Sequence, residues 1–262
     1  RGRYAGFLYK AKQYAASIEA ANEAKKCDAK NVFLDRYLAY SYFETGDYTN
    51  GMAMSKSFFS KASPEKIIAQ DYEYRGKLYA KTGSDSLAIL DYKKALEMDS
   101  TKTELSNDMS NAYMKMKKYS EAITMFKAKV AAGKAGVNDY YGLGRAYYYS
   151  KDFVNADSCF SKIVTAQPEM GLGYLWKAKA NVQQDPENKV WKAKEWYEKY
   201  ISKIKPEDAE KNKKDLIDAY NYLAAYYAKK NDCANTKIYM EKILALDPAN
   251  AQAKKVKAEL KC

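Results

Sequence analysis

A chain of 262 residues without a single histidine has closed off much of enzyme chemistry before any fold is considered. Histidine triads and general bases, HExxH zinc sites and Cys/His zinc fingers are all excluded. The four cysteines, Cys27, Cys159, Cys233 and Cys262, show no CxxC spacing. They read as free thiols, with Cys159 and Cys233 packed inside helices. Gly142-Leu143-Gly144-Arg145 is half of a GxGxxG fingerprint, but no strand precedes it and Tyr147-Tyr148-Tyr149 follows. A phosphate cradle needs a strand-to-helix turn, so Gly144 reads as a helix-contact residue. No GxxxxGK[ST] occurs, and acidic pairs such as Asp71 and Glu73 read as exposed helix charges. No catalytic, metal-ligating or cofactor-binding residue is assigned, and no cofactor is expected. What remains is recognition chemistry: 26 tyrosines and a formal charge of +12, carried almost wholly by lysine. Lysines scattered over helix surfaces mainly keep a protein solvated.

The elements that must position these side chains show in a repeat. One tyrosine recurs as an anchor at Tyr42, Tyr79, Tyr113 and Tyr147, with Asn181 in the equivalent place and then Tyr227. The steps are 37, 34, 34, 34 and 46, so the two long ones mark insertions. Three residues before each anchor stands a small residue: Ala39, Gly76, Ser110, Gly144, Ala178 and Ala224. Small residues follow nine after it (Gly51, Ala88, Ala122, Ala156) and aromatics thirteen after it (Tyr92, Phe126, Phe160). A small residue on each helix lets two backbones approach, and the large ones fill the space beside the contact. Turn signals at Thr45-Gly46-Asp47, Thr82-Gly83-Ser84 and Lys230-Asn231-Asp232 separate the paired helices. Pro168 and Pro248 stop one pair and admit the next. No apolar run approaches the ~20 residues that span a bilayer.

Tyr140-x2-Leu143-Gly144-x2-Tyr147, Ala156-x3-Phe160 and Pro168 together resemble the 34-residue tetratricopeptide (TPR) repeat, with Tyr where Trp is usual. The resemblance covers essentially the whole chain. It implies an all-α fold: a right-handed superhelical solenoid of antiparallel helix pairs, about seven repeats in one array over 1–262. The repeats are placed at 1–31 (truncated), 32–65, 69–102, 103–136, 137–170, 171–207 and 208–250, with a capping helix at 251–262. Asp185-Pro186-Glu187 forms an insertion expected to loop out between the helices of the sixth repeat, and residues 208–216 lengthen the next first helix. Lys254, Lys255, Lys257 and Lys261 suit a solvating cap. The Tyr/Lys-rich style is similar to TPR proteins of Bacteroidetes-type bacteria, which favours periplasm or cell envelope over the cytoplasmic alternative. The chain opens without Met inside a helical pattern and is read as a piece of a longer protein.

The resemblance further implies that first helices line a concave groove. In the second repeat it places Arg36, Tyr40, Phe43 and Glu44 there; in the third Glu73, Lys77, Ala80 and Lys81; in the fourth Asn107, Asn111, Met114 and Lys115. The fifth supplies Tyr141, Arg145, Tyr148 and Tyr149, the sixth Leu175, Lys179, Val182 and Gln183, and the last Asn221, Ala225, Ala228 and Lys229. Cations among aromatics suit a protein or peptide partner with acidic and apolar side chains. The main binding residues are expected to be Arg36, Tyr40, Lys77, Asn111, Tyr141, Arg145, Tyr148, Tyr149 and Lys179. The Lys/Asn/Arg clamp that some family members use on chaperone tails is not reproduced, because Gly142, Leu172 and Trp176 stand where amide or basic groups are needed. The leading expectation is a non-enzymatic interaction scaffold. The alternatives are polyanion or nucleic-acid binding through the basic surface, and the regulatory repeats of a longer enzyme.

Overall fold

The computed structural model describes residues 2–260, so Arg1, Cys262 and the capping residue Lys261 lie outside the described residues. Among these there are fifteen α-helices and no strand. In chain order they are α1 Gly2–Lys10, α2 Tyr14–Cys27, α3 Val32–Glu44, α4 Tyr48–Lys61, α5 Ala69–Lys81, α6 Asp85–Met98, α7 Leu105–Lys115 and α8 Tyr119–Ala131. There follow α9 Val137–Tyr149, α10 Phe153–Ala166, α11 Gly171–Gln184, α12 Lys194–Lys203, α13 Lys213–Lys229, α14 Cys233–Leu246 and α15 Ala251–Glu259. The chain divides into two compact halves, Arg1–Met125 and Phe126–Cys262. In the N-terminal half α1 to α7 each pack on their sequence neighbour, and in the C-terminal half α9 to α15 do the same.

One device closes most of the hairpins. A single residue in the left-handed region stands four after each anchor tyrosine: Gly46, Gly83, Lys117, Lys151 and Asn231. The next backbone N–H then donates back to the anchor's carbonyl, from Asp47 to Tyr42 at 2.8 Å, Ser84 to Tyr79 at 2.8 Å and Asp152 to Tyr147 at 2.9 Å. This is a Schellman closure, which satisfies carbonyls the helix end would otherwise leave bare. Glycine fills the position only twice, and Lys117 and Lys151 hold it with φ of 57° and 68°. Their turn role was countable from the anchor, although residue type alone did not show it. Asp47, Asp152 and Asp232 then cap the second helix of their pairs, accepting from the backbone N–H of Asn50, Asn155 and Asn235.

Close approach within a pair rests on the small residue three before the anchor. A Cβ on Gly76 would lie 2.7 Å from the ring of Tyr92, and one on Gly144 would lie 2.6 Å from Phe160. Both rings are fully buried, so neither can move aside. In the C-terminal half Ala156, Phe160, Ile163 and Ala180 form one core layer. Leu175, Ala178, Tyr197, Tyr200, Ala219 and Leu223 form the next. Leu175, expected on the groove, is therefore a core residue: its side of α11 faces α12 and α13.

Between α11 and α12 the chain loops out over 185–193, with Val190 well exposed. The Asp185 carboxylate staples the loop by accepting the N–H groups of Lys189 at 2.8 Å and Val190 at 3.1 Å. α13, at 17 residues, is the longest helix among those described, but it begins at Lys213, so of the expected extension over 208–216 only 213–216 is α-helical and the residues before it form turns. Cys233 is disulfide-bonded, which corrects its reading as a free thiol; spacing along a chain does not say which sulfurs fold to meet. Cys159 is a free, buried cysteine, and burial, then the charge of Asp152, pushes its pKa up to about 12.

Two outcomes follow from this packing. Gly144→Leu should cost about 1–3 kcal/mol and lower the urea midpoint, since Phe160 has no space to yield; an unchanged midpoint would contradict the contact. Cys159 should resist iodoacetamide at mildly alkaline pH and react only after unfolding, as read by mass spectrometry of its peptide.

Candidate functional site

The N-terminal half uses its expected recognition residues on itself. Arg36 donates from Nε and Nη2 to the two oxygens of Asp71, each at 2.7 Å, and Nη2 also reaches the carbonyl of Lys66. Tyr40 donates its hydroxyl to the same carboxylate at 2.5 Å, and the N–H of Ile68 adds a fourth donor at 2.8 Å. Arg36 and Tyr40 are only 8% and 3% exposed. Both were expected to meet a partner; instead they clip α3 to α5, because a carboxylate buried between the two needs its full set of donors. Asp71 and Glu73 are correspondingly buried, not exposed helix charges.

Lys77 is similarly committed. It donates to Glu73, which also takes Lys102 at 2.6 Å. Burial raises the pKa of Glu73, but the hydrogen bonds from Lys102 and Lys77 outweigh it and hold the group below its ordinary 4.5. Asn111 is exposed on α7.

The C-terminal half is different. Tyr141, Arg145, Tyr148 and Tyr149 recur on α9 at the spacing that shares one helix face, and α11 brings Trp176 against them. The Trp176 ring lies 6.0 Å from Tyr141, 5.4 Å from Tyr148 and 6.1 Å from Tyr149, all three edge-on. Phe160 packs on it at 5.7 Å from within the core. The Arg145 guanidinium lies among these rings, 5.4 Å from the centroid of Tyr141, 5.5 Å from Trp176 and 5.8 Å from Tyr149. Its Nε is buried without a hydrogen-bond partner, and no carboxylate pairs with it among the described residues. Lys179 approaches Trp176 at 5.3 Å but is already paired with Asp215 at 2.7 Å.

Beside the rings is a cavity of about 390 Å³, lined by Tyr148, Tyr149, Trp176, Lys179, Val182, Gln183, Tyr197 and Asp218. Burial raises the pKa of Tyr148, while Lys179 opposes the rise. Four contributors were not foreseen from sequence: Trp176, Tyr197, Asp215 and Asp218. Trp176 could have been found from its helical spacing to Lys179 and Gln183, three and seven residues on. Asp215 and Asp218 carry no such signal, because they enter from the first turns of the lengthened α13.

Over its entire length the chain matches the crystal structure of the C-terminal part of a TPR repeat-containing protein from Cytophaga hutchinsonii. The identity is 35%, the match covers 100% of both chains, and the TM-score is 0.85. The chain belongs to the TPR repeat proteins. It is an all-helical TPR solenoid by fold class. The TPR frame is also shared with YrrB, a TPR protein with an unusual peptide-binding site. There the TM-score is 0.55 at 19% identity, over 72% of this chain and 92% of that one. Among curated proteins the chain matches heat shock protein STI1 of Saccharomyces cerevisiae at 23% identity over 177 residues, 66% of this chain. It spans only 28% of that protein's length. No family model matches the chain. No helix among the described residues is long and apolar enough to cross a membrane.

First helices of the TPR array thus carry cations paired with carboxylates, such as Arg36 and Lys77, and cations without such a pair among the described residues, of which Arg145 is the one held among aromatic rings. The paired kind has a pH signature. The folded-state pKa of Glu73 is lowered, so its ionic contribution is present above the unfolded value and is lost as pH falls below 4.5 through the folded one. Glu73→Gln should therefore cost about 1–3 kcal/mol at neutral pH, with the gap to the parent closing in acid. Urea titrations across that range would show it, and a gap independent of pH would refute the assignment.

Proposed function

We propose that this TPR protein is a non-enzymatic scaffold that binds a protein or peptide segment along the first helices of its C-terminal half. The observation that carries the reading is Arg145, a guanidinium amid three rings with no carboxylate partner among the described residues, next to a cavity of about 390 Å³ whose mixed lining includes the apolar faces of Tyr148, Trp176 and Val182. A cation left without its counter-charge costs the folded chain solvation, and an acidic side chain of a partner restores it. Rigid aromatic walls give contact area at low entropic cost, and the cavity suits an apolar side chain of the same segment. The peptide-binding site of YrrB supports such use of this fold.

The basic surface supports nucleic-acid binding less well. Arg36 and Arg75 each direct both fork nitrogens to an aspartate, Asp71 and Asp91 respectively. Lys25, Lys77, Lys102, Lys129 and Lys177 are tied to carboxylates on other parts of their half or helix. Trp176 is surrounded by three tyrosines, Phe160, Arg145 and Lys179, which leaves little ring face for a base to stack on.

A random peptide library displayed on phage and selected on the intact chain tests the reading. Enriched peptides should slow amide exchange in Val137–Tyr149 and Gly171–Gln184 above all other helices. A library that yields no enriched peptide, or one whose peptides protect only other helices, would overturn it. Oligo(U) RNA should not be retarded by the chain in a gel at low salt; strong retardation lost at moderate salt would favour the polyanion reading.

A further inference from the structure

The first helices of the C-terminal half do not present uniform positive charge. On α9, Arg145 has no acidic partner among the described residues. On α11, Lys179 is matched by Asp215 from α13 at 2.7 Å, and both members of that pair are only partly exposed. On α13, Asp218 lines the same cavity as Trp176 and Lys179 and is exposed, and no cation pairs with it among the described residues. Around the cavity the charge without an ion pair therefore runs from positive at Arg145, through the neutral Lys179–Asp215 pair, to negative at Asp218, while Lys214 and Lys229 lie elsewhere on α13 and do not line it. The apolar part of the cavity, walled by Tyr148, Trp176 and Val182, lies in the neutral middle.

We propose that this gradient sets the composition of the bound segment and which end of it lies on which helix: an acidic residue at Arg145, a large apolar residue in the cavity, and a basic residue at Asp218. The proposal rests on the peptide-binding reading above and goes beyond it by stating that composition. A chain with a net charge of +12 invites the expectation of a polyacidic partner. Here the second cation is already neutralised by Asp215, and a second acid placed toward α13 would meet Asp218 at close range. Like charges juxtaposed in an interface reject a partner more effectively than matched ones attract it. One open cation beside the cavity also suits a carboxylate better than a phosphate, which carries nearly two charges and is usually met by more than one donor.

The arrangement also fixes a separation: acid and base must be set apart by the span from α9 to α13, with the acid end of the segment on α9 and the base end on α13.

The test uses library selection on three versions of the intact chain: the parent, Arg145→Gln and Asp218→Asn. Parent-selected peptides should carry an acid and a base on opposite sides of a large apolar residue. Selection on Arg145→Gln should lose the acid and keep the base; selection on Asp218→Asn should lose the base and keep the acid. For one parent-selected peptide, replacing its acid by the amide should weaken binding about tenfold. The same replacement should have little effect on Arg145→Gln, since the partner group is gone. Arg145→Lys, which keeps the charge, guards against a variant that merely misfolds, and it should retain the acid preference. Enriched peptides without that arrangement of charge, with acids at both ends, or with profiles unchanged by either variant would overturn the gradient while leaving peptide binding intact. Failure to enrich any peptide would overturn the binding reading and the gradient with it.

Discussion

The closeness of two helices in one hairpin is what everything else in this chain depends on. Gly144 faces Phe160, and Gly76 faces Tyr92, at distances that leave no room for a Cβ. That approach is possible only if the turn reverses the chain in a few residues, which the left-handed residue and the bond back to the anchor carbonyl achieve. Once the hairpin is this tight, its two small faces are used up internally, and the large side chains are left on faces that one pair cannot cover. Stacking on the next pair is the only way to bury them. The position of every first-helix side chain is therefore inherited from a backbone contact on the opposite side of the same helix.

Polar groups on those first helices have two possible fates, and the difference is the presence of a neighbour. Asp71 and Asp139 occupy equivalent places, eight before their anchors, and each accepts the N–H three residues upstream, of Ile68 and Gly136. Each also reaches back to a cation of the preceding repeat, Arg36 or Lys129. These pairs join successive repeats, and being buried they would be costly to break from one side. Among the described residues Arg145 has no such carboxylate, and its charge is held by ring faces, which attract a cation more weakly than an ion does. Recognition capacity in a repeat array is thus what remains after the joints between repeats have taken the charges they need.

The departures from regularity matter for the same reason. α13 starts fourteen residues before its anchor, where α3, α5 and α9 start ten before theirs, and the added turn carries Asp215 to Lys179. Asp218, nine before the anchor, stands within the regular length of the helix and lines the cavity from there. The loop 185–193 before α12 is stapled by Asp185, so the irregular segment is held by its own hydrogen bonds instead of by the core.

What could be read from the residues in order was whatever recurs at a fixed local spacing. The anchors, the small residues three before them, the turns, the longer α13 and the shared face of Tyr141, Arg145, Tyr148 and Tyr149 all follow from helical period and repeat period, which are properties of neighbouring positions. Which of the cations would be satisfied was not legible. Arg36 meets Asp71 across 35 residues, and Lys179 meets Asp215 across 36; no periodicity encodes either choice. Leu175, expected on the groove, went into the core with residues of α12 and α13, and Trp176, which had been given no binding role, went into the site. The disulfide at Cys233 was hidden for the same reason. The sequence by itself determined the repeat and the faces its helices present. Tertiary packing alone decided which charges those faces leave open, because charge satisfaction depends on separation in space, and residues one repeat apart in the chain are brought together only when the helices stack.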